Sequence, residues 1–395
     1  MDILSRAVRA ACVPFRRIRK EEACGDDGIT RSQCNALKMA TYLLFTTISS
    51  AESAHVAGKA AEGPRKKRRG KADDDETSFN WIEHREVAVI ALAEVLEVDM
   101  SKLWTLGVPD ENFINLFCRV SYQLLEQPIS GRGSLFKTTL LNLIARPMNL
   151  LQSIETQVVA TVMHMLNNYE HAITAVADLC RIMATDMNDR RLATSVLREA
   201  VRIDLSSASM RNGTGVKHIA AFITEISLVL PSLVMQNISV LLPLLDAEPY
   251  ILRSAIVSAI GNAVSGSTPA DVVGFGEIGE TDSSKGNNTM HSEESFTRTR
   301  DALLTVLTER ARDVNSFTRA AVIKAWISLC EKQVLPLARV HSVVMVAIDR
   351  LQDKSVIVRR ASMQVRIFYR FEYILPSSSL IYHTLDNKIK IKAPR

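Results

Sequence analysis

Asp313-Val-Asn-Ser-Phe-Thr-Arg319-Ala-Ala321 and Asp353-Lys-Ser-Val-Ile-Val-Arg359-Arg-Ala361 share one pattern: an Asp, an Arg six residues on, and an Ala two residues after it. Asp246-Ala-Glu-Pro-Tyr-Ile-Leu-Arg253-Ser-Ala255 is the same pattern with one residue more. Asp313 and Asp353 stand 40 residues apart. Asp246 and Asp313 stand 67 apart, but the 27 residues Ser267 to Glu293 are a polar interruption, and without them the interval is again 40. An Asp ahead of a helix accepts hydrogen bonds from the unpaired N–H groups of its first turn. The Arg, two turns on, reaches back to carboxylates at that edge, including the Asp of a neighbouring repeat. The Ala lets paired helices approach closely.

A period of about 40 with helices on both sides of each copy is that of a HEAT or armadillo-type α-solenoid. The expected fold class is therefore all-α, built of stacked helix pairs. A solenoid of this kind is a binding surface rather than a reaction vessel. The chain has 395 residues, 47% of them hydrophobic and only 6% aromatic, which suits helices packed through Leu, Ile, Val, Ala and Met. Its net charge of +5 is too mild to demand a polyanionic partner. Six cysteines (Cys12, Cys24, Cys34, Cys118, Cys180 and Cys330) form no CxxC pair and no metal-ligand spacing, which reads as free thiols in a reducing compartment. No apolar run reaches the length of a membrane span. Arg6, Arg9, Arg16, Arg17 and Arg19 give the start a presequence-like charge, but Asp2 and Glu21-Glu22 oppose that reading.

Punctuation divides the chain. Residues 1–60 form a first helical region, with its best helix from Asn35 to about Val56. Residues 61–78 join a basic block to Asp73-Asp-Asp-Glu76, and opposite charge blocks of this kind make a linker. Its basic half, Arg65, Lys66, Lys67, Arg68, Arg69 and Lys71, fits a nuclear import signal. Residues 79–265 carry helical periodicity: Val87, Ile90, Ala91, Val95 and Leu96 form one stripe, and Phe113, Leu116, Phe117, Val120 and Leu124 another. Breaks are expected at Gly107, Gln127-Pro128, Arg146-Pro147, Asn167-Asn168, Asn212-Gly213, Pro231, Pro243 and Pro249. Residues 266–295 read as a disordered polar loop, residues 296–365 as further repeats. Residues 366–395 form an atypical tail without helical period, expected to be a non-native continuation.

The chemistry of enzymes is hard to find. There is no phosphate-cradling Gly-x4-Gly-Lys loop, no His-Glu-x-x-His and no Gly-x-Ser-x-Gly. His164 and His171 lack companions at ligand spacing, and Met163, Met165, Met183 and Met187 suit core packing. No cofactor is expected. The candidates are basic residues: Arg190, Arg191, Arg198 and Arg202 fall on one predicted helix and present charge that can track phosphates without reading bases. Asp189 and Glu199 relieve that charge in the alternative reading, a solvated helix face. Thr268-Pro269 is the chain's Ser/Thr-Pro pair, a candidate for proline-directed phosphorylation in the polar loop.

Particular stretches resemble the N-terminal part of the condensin subunit 1 family. They are Asn80-Trp-Ile-Glu-His-Arg-Glu86, Met100-Ser-Lys-Leu-Trp104, Val108-Pro-Asp-Glu-Asn-Phe113 and Tyr122-Gln-Leu-Leu-Glu126. Further on come Arg300-Asp-Ala-Leu-Leu304, Arg312-Asp-Val-Asn-Ser-Phe-Thr-Arg319 and Arg350-Leu-Gln-Asp-Lys-Ser-Val-Ile-Val-Arg359. The resemblance runs from about Leu37 to Val365, and family members are several times longer. It implies a non-catalytic HEAT-repeat subunit that binds a kleisin chain and SMC ATPase subunits beside a second HEAT subunit. It further implies help in holding double-stranded DNA during mitotic chromosome condensation, in the nucleus and on chromosomes, with no membrane role. A protein-only scaffold, such as an importin-like transport receptor, is the alternative.

Overall fold

The computed structural model describes residues 1–15, 29–61, 80–104, 107–129, 134–203, 205, 213–269 and 287–372. Among these the regular structure is helical throughout, as the 40-residue period requires. The chain forms two compact units, Met1–Glu199 and Ala200–Arg395. The break falls inside the segment expected to be continuous from 79 to 265.

The first unit holds α1 (Asp2–Cys12), α2 (Arg31–Ala61), α3 (Trp81–Val95), α4 (Glu111–Leu125), α5 (Leu135–Leu150), α6 (Glu155–Asn168), α7 (Ala172–Thr185) and most of α8 (Arg191–Val201). Helices α3, α5 and α7 pack in a row, each on the next, with α1 against α3. α2 packs on α4, and α6 on α7, in a second row. Residues 1–60 are therefore part of this stack and not a separate region. Local sequence explains the helix starts: the Asp110 carboxylate accepts the Phe113 N–H at 3.0 Å and the Ser134 hydroxyl the Lys137 N–H at 3.1 Å. Polar ties join neighbours. The Trp81 indole donates to the buried Glu52 carboxylate, and Lys137 of α5 reaches Asp178 of α7 at 2.7 Å.

Pro147, expected at a turn, lies inside α5. Its ring nitrogen carries no hydrogen, so the Leu143 carbonyl four residues back loses its helical donor. The Cys118 thiol of α4 points at that carbonyl, with sulfur and oxygen 3.9 Å apart.

The second unit holds α9 (Thr214–Val229), α10 (Pro231–Gln236), α11 (Ile238–Leu241), α12 (Tyr250–Gly266), α13 (Asn287–Arg310), α14 (Ser316–Glu331), α15 (Leu337–Arg350) and α16 (Val356–Glu372). α9, α12, α14 and α16 form one row, and α10, α13 and α15 lie against it. α14 and α16 begin 40 residues apart, as the pattern predicts. A Cβ on Gly261 would lie 2.7 Å from that of Ala325, so α12 and α14 touch backbone to backbone at that point. Two expectations need correction. The polar stretch 266–295 is helical from Asn287. The atypical tail is helical as far as Glu372, because α16 extends its pitch beyond Val365.

The repeated Asp and Arg build a ladder in this unit. Arg253 forks onto Asp313, Nε to Oδ2 at 3.0 Å and Nη2 to Oδ1 at 3.1 Å. Arg319 forks onto Asp353 at 2.8 Å through both nitrogens. The third nitrogen pins the arginine's own turn: Arg253 Nη1 donates to the carbonyls of Ala247 and Glu248, Arg319 Nη1 to those of Asp313 and Val314, and Arg359 Nη1 to those of Asp353 and Lys354. The aspartates act just outside the helices and not as their caps. Asp313 accepts the Asn315 N–H, and Asn315 in turn caps α14 through the Phe317 N–H. Asp246 departs from the pattern: its side chain is 80% exposed and pairs with Arg310, whose second nitrogen holds the Leu245 carbonyl.

Burial works against the charged form of Asp353. The hydrogen bonds from Arg319 and the Ser355 N–H, with the charges of Arg319 and Arg350, outweigh it and hold the carboxyl below its usual range. Replacing Arg319 with Met leaves that buried carboxylate without its fork and should destabilise the second unit by about 3 kcal/mol in urea titration. Arg359→Met removes only the turn bonds, and should cost about 1–2 kcal/mol. Because its folded pKa is depressed, the Asp353 contribution is present above its unfolded value of about 3.9 and lost as pH falls through the lower folded one. Asp353→Asn should therefore flatten the acid limb of the urea midpoint below about pH 4. Equal losses in the two arginine variants would contradict the ladder.

Candidate nucleic-acid and partner surfaces

Of the basic residues on α8, the structure separates those whose charge is spent from those whose charge is not. Arg191 opens the helix and turns back on Asp189: Nε donates to Oδ1 at 3.0 Å and Nη2 to Oδ2 at 2.7 Å. The same Asp189 accepts the Arg191 backbone N–H at 2.9 Å. Glu155 of α6 stands 3.8 Å from Arg191 Nη1 and accepts the Ser195 hydroxyl at 2.9 Å, so α8 is tied to α6 by this cluster. The Arg191 side-chain hydrogen bonds hold the Asp189 carboxyl below its ordinary range, against the opposing effect of burial.

Arg198, two turns on, is exposed and has no side-chain partner among the described residues. Arg190 is half-buried and Arg202 exposed, and each makes further interactions of its own. Arg202 follows the end of α8 and belongs to the second unit. Of the four arginines, Arg198 is thus the exposed one without a side-chain partner among the described residues, and Arg191 serves the fold. Arg191 and Arg198 both lie on α8, seven residues apart. Glu155 is 36 residues before Arg191, too far for local spacing to flag its charge as the neutralising one.

Other candidates fall in several places. Thr268 is exposed, two residues beyond the end of α12. Arg65, Lys66, Lys67, Arg68, Arg69 and Lys71 lie outside the described residues, as do Cys24 and the tail beyond Glu372. His164 and His171 do not share a helix, since α6 ends between them. The His171 ring instead donates from Nε2 to the Leu125 carbonyl at 3.1 Å. Burial pushes the thiols of Cys118 and Cys180 up to about 12, which leaves them protonated and unreactive at neutral pH.

Comparison with known proteins adds an independent line. Residues 1–148, from α1 into α5, match the family model described as non-SMC mitotic condensation complex subunit 1, N-terminal. Condensin-1 complex subunit CAP-D2 of Arabidopsis thaliana is 29% identical over 341 residues, which is 86% of this chain and 23% of that protein. The chain is similar to the N-terminal portion of condensin subunit 1. Condensin complex subunit 1 of Mus musculus is 29% identical over 340 residues, 84% of this chain and 22% of its own. That of Saccharomyces cerevisiae is 24% identical over 278 residues, 70% of this chain and 21% of its own. The chain thus spans less than a quarter of the length of the curated relatives it matches.

The two arginines of α8 should respond differently to substitution. Arg191→Ala removes the fork from Asp189 and the contact with Glu155, and should lower first-unit stability by about 1 kcal/mol, the usual scale for a helix-start interaction. Arg198→Ala should change it by less than about 0.5 kcal/mol. Thermal unfolding of both variants, followed by circular dichroism, is the measurement; a larger loss for Arg198 would overturn this division.

Proposed function

We propose that this chain acts as the N-terminal scaffold of a condensin subunit 1: a non-catalytic helical-repeat surface that joins a kleisin and SMC ATPase subunits and helps to engage double-stranded DNA. The observation that carries the reading is the similarity to condensin subunit 1 proteins over 84–86% of the chain in plant and mouse, on a helical stack keyed by the Asp–Arg ladder. A role in mitotic chromosome condensation, in the nucleus and on chromosomes, follows from that reading. The cluster at Arg65 to Lys71 is the proposed import signal. Thr268, exposed at the start of the polar stretch, is the proposed phosphorylation site, where a phosphate adds about −1.5 to −2 charges.

Contact with DNA is expected to be weak and independent of sequence, because Arg190, Arg191, Arg198 and Arg202 offer charge and no base-stacking aromatics. Within that set Arg198 carries the most available charge.

Affinity purification of the tagged chain tests the main reading. SMC ATPases and a kleisin should co-purify; recovery of transport cargo or a small GTPase in their place would favour the importin-like scaffold. For DNA, fluorescence anisotropy of a labelled duplex across a salt series should give a log–log slope of about −0.9 per phosphate contacted. Arg198→Glu should flatten that slope by about one contact on unrelated sequences alike. An unchanged slope would place the DNA contact elsewhere, and no binding at low salt would remove DNA from the proposal.

A further inference from the structure

An open groove of about 900 Å³ lies in the first unit between α2 and α4. Its floor is aromatic and backed by further rings. Trp104 meets Phe113 edge-on at 5.5 Å, Phe113 meets Phe117 at 5.8 Å, and Phe117 meets Phe45 at 4.7 Å. Trp104 and Phe113 remain half-buried, so each still offers surface to the groove. Lys38 stands 4.6 Å from the centre of the Trp104 ring. Tyr42 forms part of one wall and is 51% exposed; Met39 and Leu43, beside it on the same side of α2, are 62% and 45% exposed. Leu116 and Arg119 of α4 complete the opposite wall.

The charges in this groove are unequally committed. Asp110 and Glu111 sit at the first turn of α4, where carboxylates are stabilised by the positive end of the helix dipole. Asp110 caps that helix, and Glu111 accepts the Ser153 hydroxyl at 2.9 Å. Arg119 is exposed and has no side-chain partner among the described residues. Six residues separate Phe113 from Arg119, about 9 Å along a helix. An extended chain covers that distance in about three residues.

We propose that this groove binds an extended peptide whose aromatic or bulky apolar anchor rests on Trp104, Phe113 and Tyr42. A carboxylate about three residues from that anchor pairs with Arg119. The occupant is a segment of a partner protein, and the kleisin as its source rests on the scaffold reading above.

The chemistry is tested with a synthetic nonapeptide that places Phe and Asp three residues apart, together with its Asp-to-Asn counterpart. Trp81 and Trp326 are buried, so the emission of Trp104 reports on the groove, and Trp104→Phe serves as the signal control. The acidic peptide should bind, and Arg119→Glu should weaken it at least tenfold. The Asn peptide should bind wild type more weakly and show little further loss on Arg119→Glu. Tyr42→Ala should weaken both peptides, which separates the anchor from the charge. Both positions are exposed, and unchanged circular dichroism would confirm that the variants fold. In parallel, the recombinant kleisin subunit is titrated against wild type and Arg119→Glu. Loss of kleisin with the same variant supports the whole proposal. Kleisin that binds both proteins equally, with no peptide binding, overturns the groove and leaves the scaffold reading standing. Charge-dependent peptide binding without kleisin binding keeps the groove and removes the kleisin. Peptide binding that appears only after deletion of residues 62–79 would make the chain's own acidic segment the occupant and overturn an external partner.

Discussion

An arginine that grips two repeats at once sets the geometry of the second unit. Each of Arg253 and Arg319 spends one nitrogen on the carbonyls of its own turn and two on the carboxylate of the next repeat. The planar guanidinium fixes the angle between those two tasks, so the turn of one repeat and the turn of the next cannot move independently. Asp313 and Asp353 are 4% and 3% exposed, which makes the pairing obligatory: a carboxylate so far from water needs its partner. Apolar packing supplies most of the stabilisation in such a stack. The ladder determines its register.

Backbone proximity is the second constraint. At Gly261 and Ala325, α12 and α14 approach so closely that a single added carbon finds no space. In the first unit the corresponding devices are individual and unrepeated. Lys137 and Asp178 join α5 to α7, Glu52 receives the Trp81 indole, and Cys118 points its thiol at the carbonyl orphaned by Pro147. The two units therefore reach similar layering by different means, one by a periodic motif and the other by separate contacts.

That difference governs what the sequence reveals. The ladder was legible because each copy is short, local and repeated, so the spacing alone predicts helix pairs and even the cross-repeat reach of the arginine. Asp246 misleads because it matches the pattern in letters, yet its partner, Arg310, comes from the following repeat's first helix. Pro147 reads as a break because local rules cannot foresee a donor arriving from another helix. The start of α13 reads as a loop because Asn287-Asn-Thr-Met-His-Ser292 has the composition of a loop. Of the two stripes on α3 and α4, Ala91, Val95, Leu96, Phe117, Val120 and Leu124 are buried, whereas Val87, Ile90, Phe113 and Leu116 are half-exposed. For the surface, sequence identifies charges but not their availability. Arg191 and Arg198 look alike in the sequence, and only Asp189 and Glu155 make them different.

Availability of charge is also what links this architecture to binding. A helical stack exposes many ionisable groups, and some of them are engaged with neighbours. Asp189 quiets Arg191, the first turn of α4 accommodates Asp110 and Glu111, and the ladder consumes its own aspartates and arginines. Arg198 and Arg119 are among the exposed cations that have no side-chain partner among the described residues. Their surroundings then differ in kind. Arg198 stands on α8, whose own residues Arg191–Val201 include no aromatic, a setting that suits a diffuse contact with phosphates. Arg119 lines a groove with an aromatic floor, where the proposed apolar anchor would contribute contact area and the cation would set direction. The two proposed contacts therefore differ in kind, diffuse at Arg198 on α8 and anchored and directional at Arg119 on α4.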